Sequence, residues 1–296
     1  MARGADRRRR IARLAVLAGA LLAAGCSEGP GPGGTETLER ARKEGTIRVG
    51  FANESPYAYA ESGSGRLTGE APEIARAVLA GIGVREIEGV LTEFGSLIPG
   101  LNAGRFDIIA AGMYILPERC RQIAFSNPTY AVGEAFIVAR GNPLKLHGYE
   151  DVARHPEARL GVVAGAVERA YARATGIPED RVVVFPDTPS ALDGVLAGRV
   201  DAFGGTSLTV NSLLARAKSP RLERANPFRD PVIEGKPARG YGAFGFRKDD
   251  VKLIAAFNAA LARYLGTAAH LAAVKPFGFT VAELPGPVAA RDLCRG

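Results

Sequence analysis

The sequence contains few of the residues that most often bind metal ions in proteins. Three histidines and three cysteines occur among 296 residues. His147, His155 and His270 are scattered and show no ligand spacing with any cysteine or pair of acids. Because zinc sites need ligands at short, recurring spacings, we predict neither a metal site nor a bound cofactor.

The chain also has little excess charge outside its first residues. The formal net charge is +7, but six of the 38 basic residues and one of the 31 acidic residues fall within residues 1–25. The remaining 32 basic and 30 acidic residues leave a net charge of +2, with no stripe of Lys and Arg interleaved with aromatic residues. Surfaces that bind nucleic acid carry such a stripe, so we expect no nucleic-acid partner.

Residues 1–25 predict an export signal. An arginine-rich start precedes an apolar run, residues 14–25, that is too short to span a bilayer as an ordinary membrane helix. The run ends in small residues directly before Cys26 and resembles a bacterial lipobox, in which that cysteine is lipidated and becomes the mature N-terminus. A plain secretory signal is the alternative. Residues 26–37 predict the lipidated cysteine and a flexible linker rich in Gly and Pro.

Two further cysteines, Cys120 and Cys294, belong to a chain that we expect in an oxidising compartment. A disulfide between them is one interpretation. Two unpaired, buried thiols are the other, and the sequence leaves both open.

A short repeat predicts two similar lobes. Residues 100–107 recur as residues 194–201, and each copy predicts a helix end, a glycine cap and the start of a strand. Strands that alternate with helices predict mostly parallel sheets in an α/β protein. We assign residues 38–133 and 241–296 to lobe 1 and residues 134–240 to lobe 2. Two crossings would form a hinge, with the ligand in the cleft between the lobes.

One strand end in lobe 1 carries an aromatic residue and an arginine. Residues 106–111 predict an apolar strand that Gly112 ends, and Tyr114 and Arg119 follow it. Ligands of open α/β sheets bind at the carboxyl ends of the strands, and a guanidinium pairs well with a carboxylate. We therefore expect Arg119 to bind the acid group of a ligand.

Six short segments follow one another in a characteristic order and spacing along the chain: residues 46–50, 94–101, 106–109, 117–119, 124–130 and 244–248. In this order and spacing they resemble the substrate-binding proteins of ABC importers, specifically the amino-acid-binding cluster. The resemblance covers residues 38–280. It implies a two-lobed, type II periplasmic-binding-protein fold, an exported protein at the outer face of the cytoplasmic membrane, and partnership with permease and ATPase subunits. We expect a monomeric binding protein rather than an enzyme.

Three positions depart from the amino-acid binders. Those proteins usually carry a small hydroxyl residue in place of Tyr114 and an aspartate for the ligand's α-ammonium in place of Thr206. Their Gly-Thr or Gly-Ser pair is here Gly165-Ala166-Val167. An ordinary α-amino acid would leave its ammonium poorly paired in a closed cleft, which is costly.

Residues 53–59, 91–101, 111–120 and 163–168 resemble instead the ectoine- and hydroxyectoine-binding proteins. Their ligand is a cyclic zwitterion with a delocalised amidinium and one carboxylate. The resemblance implies that Tyr57, Phe94 and Tyr114, from three separate strand ends, surround the amidinium. Each desolvated contact of this kind contributes about 0.5–2 kcal/mol.

The same resemblance implies the remaining contacts. Glu54 would accept hydrogen bonds from the amidinium N–H groups. Arg119 would bind the carboxylate, helped by backbone N–H groups of residues 165–167 at a helix N-terminus. Thr206 would donate its hydroxyl to the ligand.

Three alternatives stay open. The ligand could be a polar amino acid or a betaine, although a betaine has no N–H to donate to Glu54. An enzyme such as a dehydratase of aromatic amino-acid biosynthesis would need a nucleophile and a base, and the cleft-forming segments contain no histidine. A sensor domain is the third.

Overall fold

The computed structural model describes residues 35–233 and 235–295. The predicted signal segment, Cys26 and its lipidation lie outside these residues. The helices are α1 (Thr35–Glu44), α2 (Glu70–Ala80), α3 (Leu97–Asn102), α4 (Pro117–Cys120), α5 (Tyr149–Arg154), α6 (Glu168–Ala174), α7 (Thr188–Leu196), α8 (Ser207–Ala217), α9 (Val251–Tyr264), α10 (Ala268–Val274) and α11 (Ala290–Leu293). The strands are β1 (Thr46–Phe51), β2 (Tyr59–Ala60), β3 (Leu67–Thr68), β4 (Glu86–Leu91), β5 (Ile108–Tyr114), β6 (Ala124–Phe125), β7 (Tyr130–Val132), β8 (Glu134–Ala139), β9 (Leu160–Val163), β10 (Val182–Phe185), β11 (Ala202–Thr206), β12 (Leu222–Arg224), β13 (Val232–Ile233), β14 (Lys236–Pro237) and β15 (Gly240–Phe246).

Lobe 1 is built around a six-stranded sheet in the order β4-β1-β5-β15-β6, with β7 also paired to β15. β1 pairs in parallel with β4 and β5, whereas β15 runs antiparallel to its neighbours. Ile47 and Val49 of β1 and Ile108 and Ile109 of β5 are almost completely buried. Apolar runs of this kind are typical of parallel strands that helices cover on both faces.

Lobe 2 repeats the arrangement with five strands in the order β10-β9-β11-β8-β12. β9 pairs in parallel with β10 and β11, and β8 runs antiparallel to β11 and β12. Each sheet thus has one strand that runs against the others. The predicted two-lobed α/β fold with mostly parallel sheets is confirmed.

The repeat does the same structural task in each lobe. Asp107 accepts a hydrogen bond from the backbone N–H of Arg48, and Asp201 accepts one from the backbone N–H of Arg159. The glycine of each copy, Gly104 or Gly198, follows its helix with a φ of 69° or 67°. This left-handed conformation favours glycine and ends the helix.

The two crossings between the lobes lie side by side. The chain passes from β7 to β8 at Gly133 and returns before β15. The carboxylate of Asp230, on the returning segment, accepts a hydrogen bond from the backbone N–H of Glu134 at 2.6 Å. A Cβ at Gly133 would meet that carboxylate at 2.8 Å, so a larger residue there would displace the Asp230 side chain.

Three predicted boundaries were wrong. β5 continues past Gly112 to Tyr114, because Gly112 adopts a φ of 65° inside the strand and leaves room for the ring of Tyr57, which a Cβ would meet at 2.5 Å. α1 begins at Thr35, inside the predicted linker. The pair Thr188-Pro189 predicts Thr188 as the N-cap of α7, but the N-cap is Asp187, whose carboxylate accepts from the Ser190 N–H.

Among the described residues, no helix combines the length and the apolar character that a bilayer crossing needs.

Candidate functional site

A cavity of about 450 Å³, measured out to its mouth, lies between the two lobes. Its walls are the ends of strands and the beginnings of helices in both sheets. Lobe 1 provides Glu54, Tyr57, Phe94, Gly112, Tyr114 and Arg119, and lobe 2 provides Val163, Ala166, Val167, Glu168, Thr188, Phe203, Gly204, Gly205 and Thr206. Eight of the nine predicted binding residues line this cavity.

Arg119 places a buried positive charge in the cavity wall. The side chain is 7% exposed and donates hydrogen bonds to the backbone carbonyls of Tyr114 and Gly165, both at 2.9 Å. Within the described part of the chain, no carboxylate lies within 4.0 Å of the guanidinium. Burial lowers the pKa of Arg119, and the charge of Glu168 opposes this shift. The guanidinium is therefore available to an acidic ligand group.

The three predicted aromatic residues line the cavity in different ways. Tyr57 is buried and stacks on Tyr130, with ring centroids 5.1 Å apart. Tyr114 is also buried, its hydroxyl has no hydrogen-bond partner, and Gly240 lies directly against its ring. Phe94 lies under the Arg119 guanidinium, 5.5 Å from its ring centroid. One face of Phe94 therefore contacts this arginine. Tyr57 and Tyr114 remain as the principal aromatic surfaces for a ligand.

Glu54 belongs to a chain of hydrogen bonds that crosses between the lobes twice. Its carboxylate accepts from the Thr209 hydroxyl at 2.7 Å, and the Thr206 hydroxyl donates to Thr209 at 3.0 Å. The hydroxyls of Tyr57 and Thr206 lie 2.8 Å apart. Burial raises the pKa of Glu54 to about 7, although the bond from Thr209 opposes the shift. Glu54 is thus poised between its neutral and charged forms near neutral pH.

Thr206 has little capacity left for a ligand. Its side chain accepts from the Thr209 N–H and so caps α8, in addition to the contacts with Tyr57 and the Thr209 hydroxyl. A hydroxyl with three protein partners is a poor donor to a fourth group. Thr206 lines the cavity, but its hydroxyl holds the two lobes together.

The loop before α6 differs most from the prediction. Gly165 does not line the cavity, and its carbonyl accepts from Arg119. The Ala166 N–H donates to the Val163 carbonyl at 3.2 Å. The turn therefore uses the Ala166 N–H internally, and this group is not offered to a ligand carboxylate. Val167 precedes the helix and lines the cavity.

Glu168 is a cavity residue that the sequence interpretation missed. It is 5% exposed, and its Oε2 atom has no hydrogen-bond partner. Burial, together with the charge of Glu54, raises its pKa to about 7, although a hydrogen bond from its own backbone N–H and the charge of Arg119 oppose the shift. The adjacent Glu134 is also buried, with its pKa raised well above its ordinary value by burial and by the charge of Glu168. An acid in the first turn of a helix usually faces solvent, so sequence alone offered no signal.

No group of three or more His, Cys, Asp or Glu side chains in the described residues is arranged to hold a metal ion.

Cys120, the last residue of α4, forms a disulfide with Cys294 near the end of the chain. The bond spans 174 residues and joins Cα atoms 5.7 Å apart. Of the two interpretations of these cysteines, the structure has the disulfide. It holds the C-terminal segment against the helix that carries Arg119.

Comparison with known proteins agrees with this architecture. The model of the bacterial extracellular solute-binding proteins, family 3, matches residues 47–271. The probable amino-acid ABC transporter periplasmic-binding protein y4tE of Sinorhizobium fredii is 37% identical over 266 residues, which are 88% of this chain and 87% of the relative.

Two solved structures are similar along most of the chain. The crystal structure of EhuB in complex with hydroxyectoine is 35% identical with a TM-score of 0.78, and the match covers 87% of this chain and 97% of that one. The ancestral amino acid-binding protein AncCDT-1, a precursor of cyclohexadienyl dehydratase, is 26% identical with a TM-score of 0.70, over 81% and 99% of the two chains. The type II periplasmic-binding-protein fold is thereby confirmed. The chain belongs to family 3 of the bacterial extracellular solute-binding proteins and is the extracytoplasmic solute-binding component of an amino-acid-type ABC importer.

Proposed function

We propose that this protein captures ectoine or hydroxyectoine by closure of its two lobes and delivers it to the permease and ATPase subunits of the importer. The observation that carries the proposal is the pairing of opposite charges in one cavity. Arg119 is buried without a carboxylate partner, and Glu54 lies on the same cavity wall beside two buried tyrosine rings. A ligand with one carboxylate and one diffuse cation satisfies both groups.

The aromatic surfaces favour a delocalised cation. Tyr57 and Tyr114 are fixed by packing against Tyr130, with ring centroids 5.1 and 6.4 Å from it. A ring held in this way loses little entropy when a planar cation approaches its face, and desolvation in a closed cleft strengthens the attraction. A cyclic amidinium has the required flat shape and charge distribution.

An ordinary α-amino acid fits the cavity less well. The position at which amino-acid binders carry an aspartate is Thr206, whose hydroxyl is already engaged by α8 and by Tyr57. The ammonium would therefore depend on Glu54, which also accepts from Thr209. The name of the Sinorhizobium relative supports amino acids as the competing class, and a betaine would leave Glu54 without an N–H donor.

We propose binding rather than catalysis. The cavity walls contain no histidine, cysteine or lysine among the described residues, and their acids lie beside a predicted cation site. The similarity to a dehydratase precursor makes an enzyme the minor alternative. We expect a cyclohexadienyl substrate to remain unchanged after prolonged incubation with the protein.

The proposal includes a lipid anchor and a monomeric state. After removal of residues 1–25, Cys26 would be lipidated and would hold the protein at the outer face of the cytoplasmic membrane. Mass spectrometry of the mature N-terminus tests this, because a lipidated Cys26 adds the mass of its acyl chains. Replacement by Cys26→Ser should release the protein from the membrane fraction.

Calorimetric titration against ectoine, hydroxyectoine, glycine betaine, glutamine and arginine tests the ligand. We expect ectoine or hydroxyectoine to bind most tightly of the five. Tight binding of glutamine with no heat from ectoine would contradict the proposal.

A further inference from the structure

The strand that returns from lobe 2, β15, begins with two glycines on one face of the lobe 1 sheet. Gly240 and Gly242 are two positions apart, and alternate residues of a strand point to the same side. Neither residue has a positive φ, so the backbone conformation does not require glycine at either position. Glycine inside a strand lowers stability and marks a place where another group approaches the backbone closely.

The groups that approach these glycines are two tyrosine rings. A Cβ added to Gly240 would overlap the Cε2 and Cζ atoms of Tyr114. One added to Gly242 would overlap the Cζ and Cε1 atoms of Tyr130. The strand register explains this arrangement, because Gly242 lies directly opposite Tyr114 on β5 and Tyr130 on β7. Directly opposite residues of antiparallel strands place their side chains on the same face of a sheet.

Of these two rings, the one against Gly240 belongs to the ligand cavity. Tyr114 lines the cavity and is 4% exposed, so its ring lies mostly within the wall. Tyr130 packs beside it, with ring centroids 6.4 Å apart. Protein interiors are close-packed, and the space open to a displaced Tyr114 ring is therefore the cavity. A side chain larger than glycine at position 240 would push the ring into the space that a ligand needs.

We propose that Gly240 is a specificity-determining residue of the ligand site. Because it has no Cβ, the ring of Tyr114 lies in the wall and leaves the cavity open to a flat cation. The inference rests on the proposed function and adds that Tyr114 serves as an aromatic contact surface only when the residue facing it on β15 is glycine. The two positions therefore form a coupled pair.

A purely structural role for Gly240 predicts a different behaviour. Loss of close packing between a ring and a glycine lowers stability wherever it occurs, without a change in ligand affinity. Gly50 offers a matched control, since it lies in strand β1 of the same lobe, has no positive φ, and a Cβ there would overlap the ring of Phe106. Phe106 is fully buried and does not line the cavity.

The experiment is a double-mutant cycle with Gly240→Ala, Tyr114→Ala and the variant that carries both, measured by titration calorimetry with ectoine, arginine and glutamine. Alanine at position 114 has no ring for a Cβ at position 240 to displace. We expect Gly240→Ala to weaken the tightest of the three ligands at least tenfold in the wild-type background and less than twofold in the Tyr114→Ala background. Gly50→Ala should stay within twofold of the wild type despite a lower midpoint of thermal unfolding.

Crystal structures of the wild type and of Gly240→Ala without ligand give a second measurement. We expect the Tyr114 ring of the variant to occupy part of the cavity, and a ring that stays against β15 would overturn the inference. Should Gly240→Ala not fold, the additional Tyr114→Ala replacement should restore a cooperative thermal transition. Failure to restore it would also overturn the inference.

The outcomes separate the inference from the proposed function. If the wild type binds arginine or glutamine instead of ectoine and the cycle is non-additive, the inference holds and the ectoine proposal fails. If ectoine binds the wild type tightly and Gly240→Ala causes equal losses in both backgrounds, the inference is wrong and the ectoine proposal stands. If none of the three compounds binds the wild type, the position of the Tyr114 ring in the crystal structure of the variant decides.

Discussion

At the scale of single residues, the site depends on buried charges that the protein itself does not neutralise. Arg119 donates to two carbonyls, and Glu168 has an unbonded oxygen. Uncompensated groups of this kind lower stability in the empty protein and are expected at functional positions. Under the proposed function, the carboxylate of the zwitterionic ligand pairs with Arg119.

Replacement of Arg119 by alanine should weaken ligand binding by at least 100-fold, or about 3 kcal/mol, because the ligand carboxylate would be buried without its bidentate partner. Titration calorimetry measures the loss. Arg121→Ala is the control, since that side chain is exposed and lies outside the cavity. Near-unchanged binding by Arg119→Ala would rule out the assigned role.

Replacement of Tyr114 by leucine should weaken an amidinium ligand by about 1–2 kcal/mol, because leucine fills much of the space but has no π face. Tyr114→Phe should lose less affinity than the leucine variant, since it keeps the π face of the ring. Measuring the affinity of each variant for ectoine tests the two predictions. Equal affinity in the leucine variant would argue against a cation–π contact.

At the scale of elements, the short helix α4 presents Arg119, and it is held at both ends. The Leu116 carbonyl, just before the helix, accepts from the N–H groups of Arg119 and Cys120. Cys120 is covalently joined to Cys294. A four-residue helix has little intrinsic stability, so these attachments keep the guanidinium in place.

The disulfide should make a measurable contribution to stability. Reduction, or replacement of Cys294 by serine, is expected to lower the free energy of unfolding by about 2–4 kcal/mol, because the bond closes a long loop in the unfolded chain. Thermal unfolding with and without dithiothreitol measures the effect. Cys294→Ser should no longer respond to the reductant, and a wild-type transition that ignores dithiothreitol would contradict the prediction.

At the scale of the whole molecule, the lobes contact each other both within the cavity and outside it. Inside it, Glu54 bonds to Thr209 and Arg119 to Gly165. Outside it, the hydroxyls of Ser55 and Ser212 lie 2.8 Å apart, and the Arg216 guanidinium lies 5.2 Å from the ring centroid of Tyr59. The outer contacts favour the closed arrangement without touching the ligand.

The double replacement Ser212→Ala and Arg216→Ala should therefore weaken binding two- to tenfold, since it removes roughly 0.5–1.5 kcal/mol of interlobe attraction. Small-angle scattering should show a larger radius of gyration in the empty variant than in the empty wild type. Replacement of Lys218 by alanine, on an exposed turn after α8, is the control. An unchanged affinity in the double variant would mean that the outer contacts do not influence closure.

The two lobes and Arg119 could be predicted from the sequence, because both follow from local order along the chain. The repeat at residues 100–107 and 194–201 needs only its own helix, glycine and aspartate to specify a helix end and a strand start. Arg119 follows the end of a predicted strand by a few residues. In an open α/β sheet, residues at such a place lie at the edge where ligands bind.

Features that join distant segments could be identified only from the three-dimensional arrangement. Gly112 resembles a strand terminator, and only the ring of Tyr57 beside it explains why β5 continues. The hydrogen bonds that engage Thr206, and the cavity that Glu168 faces, depend on where the other lobe lies. An acid at a helix start has the same sequence pattern whether it meets water or a ligand. Its surroundings are set by packing between lobes, and no local pattern in the chain records them.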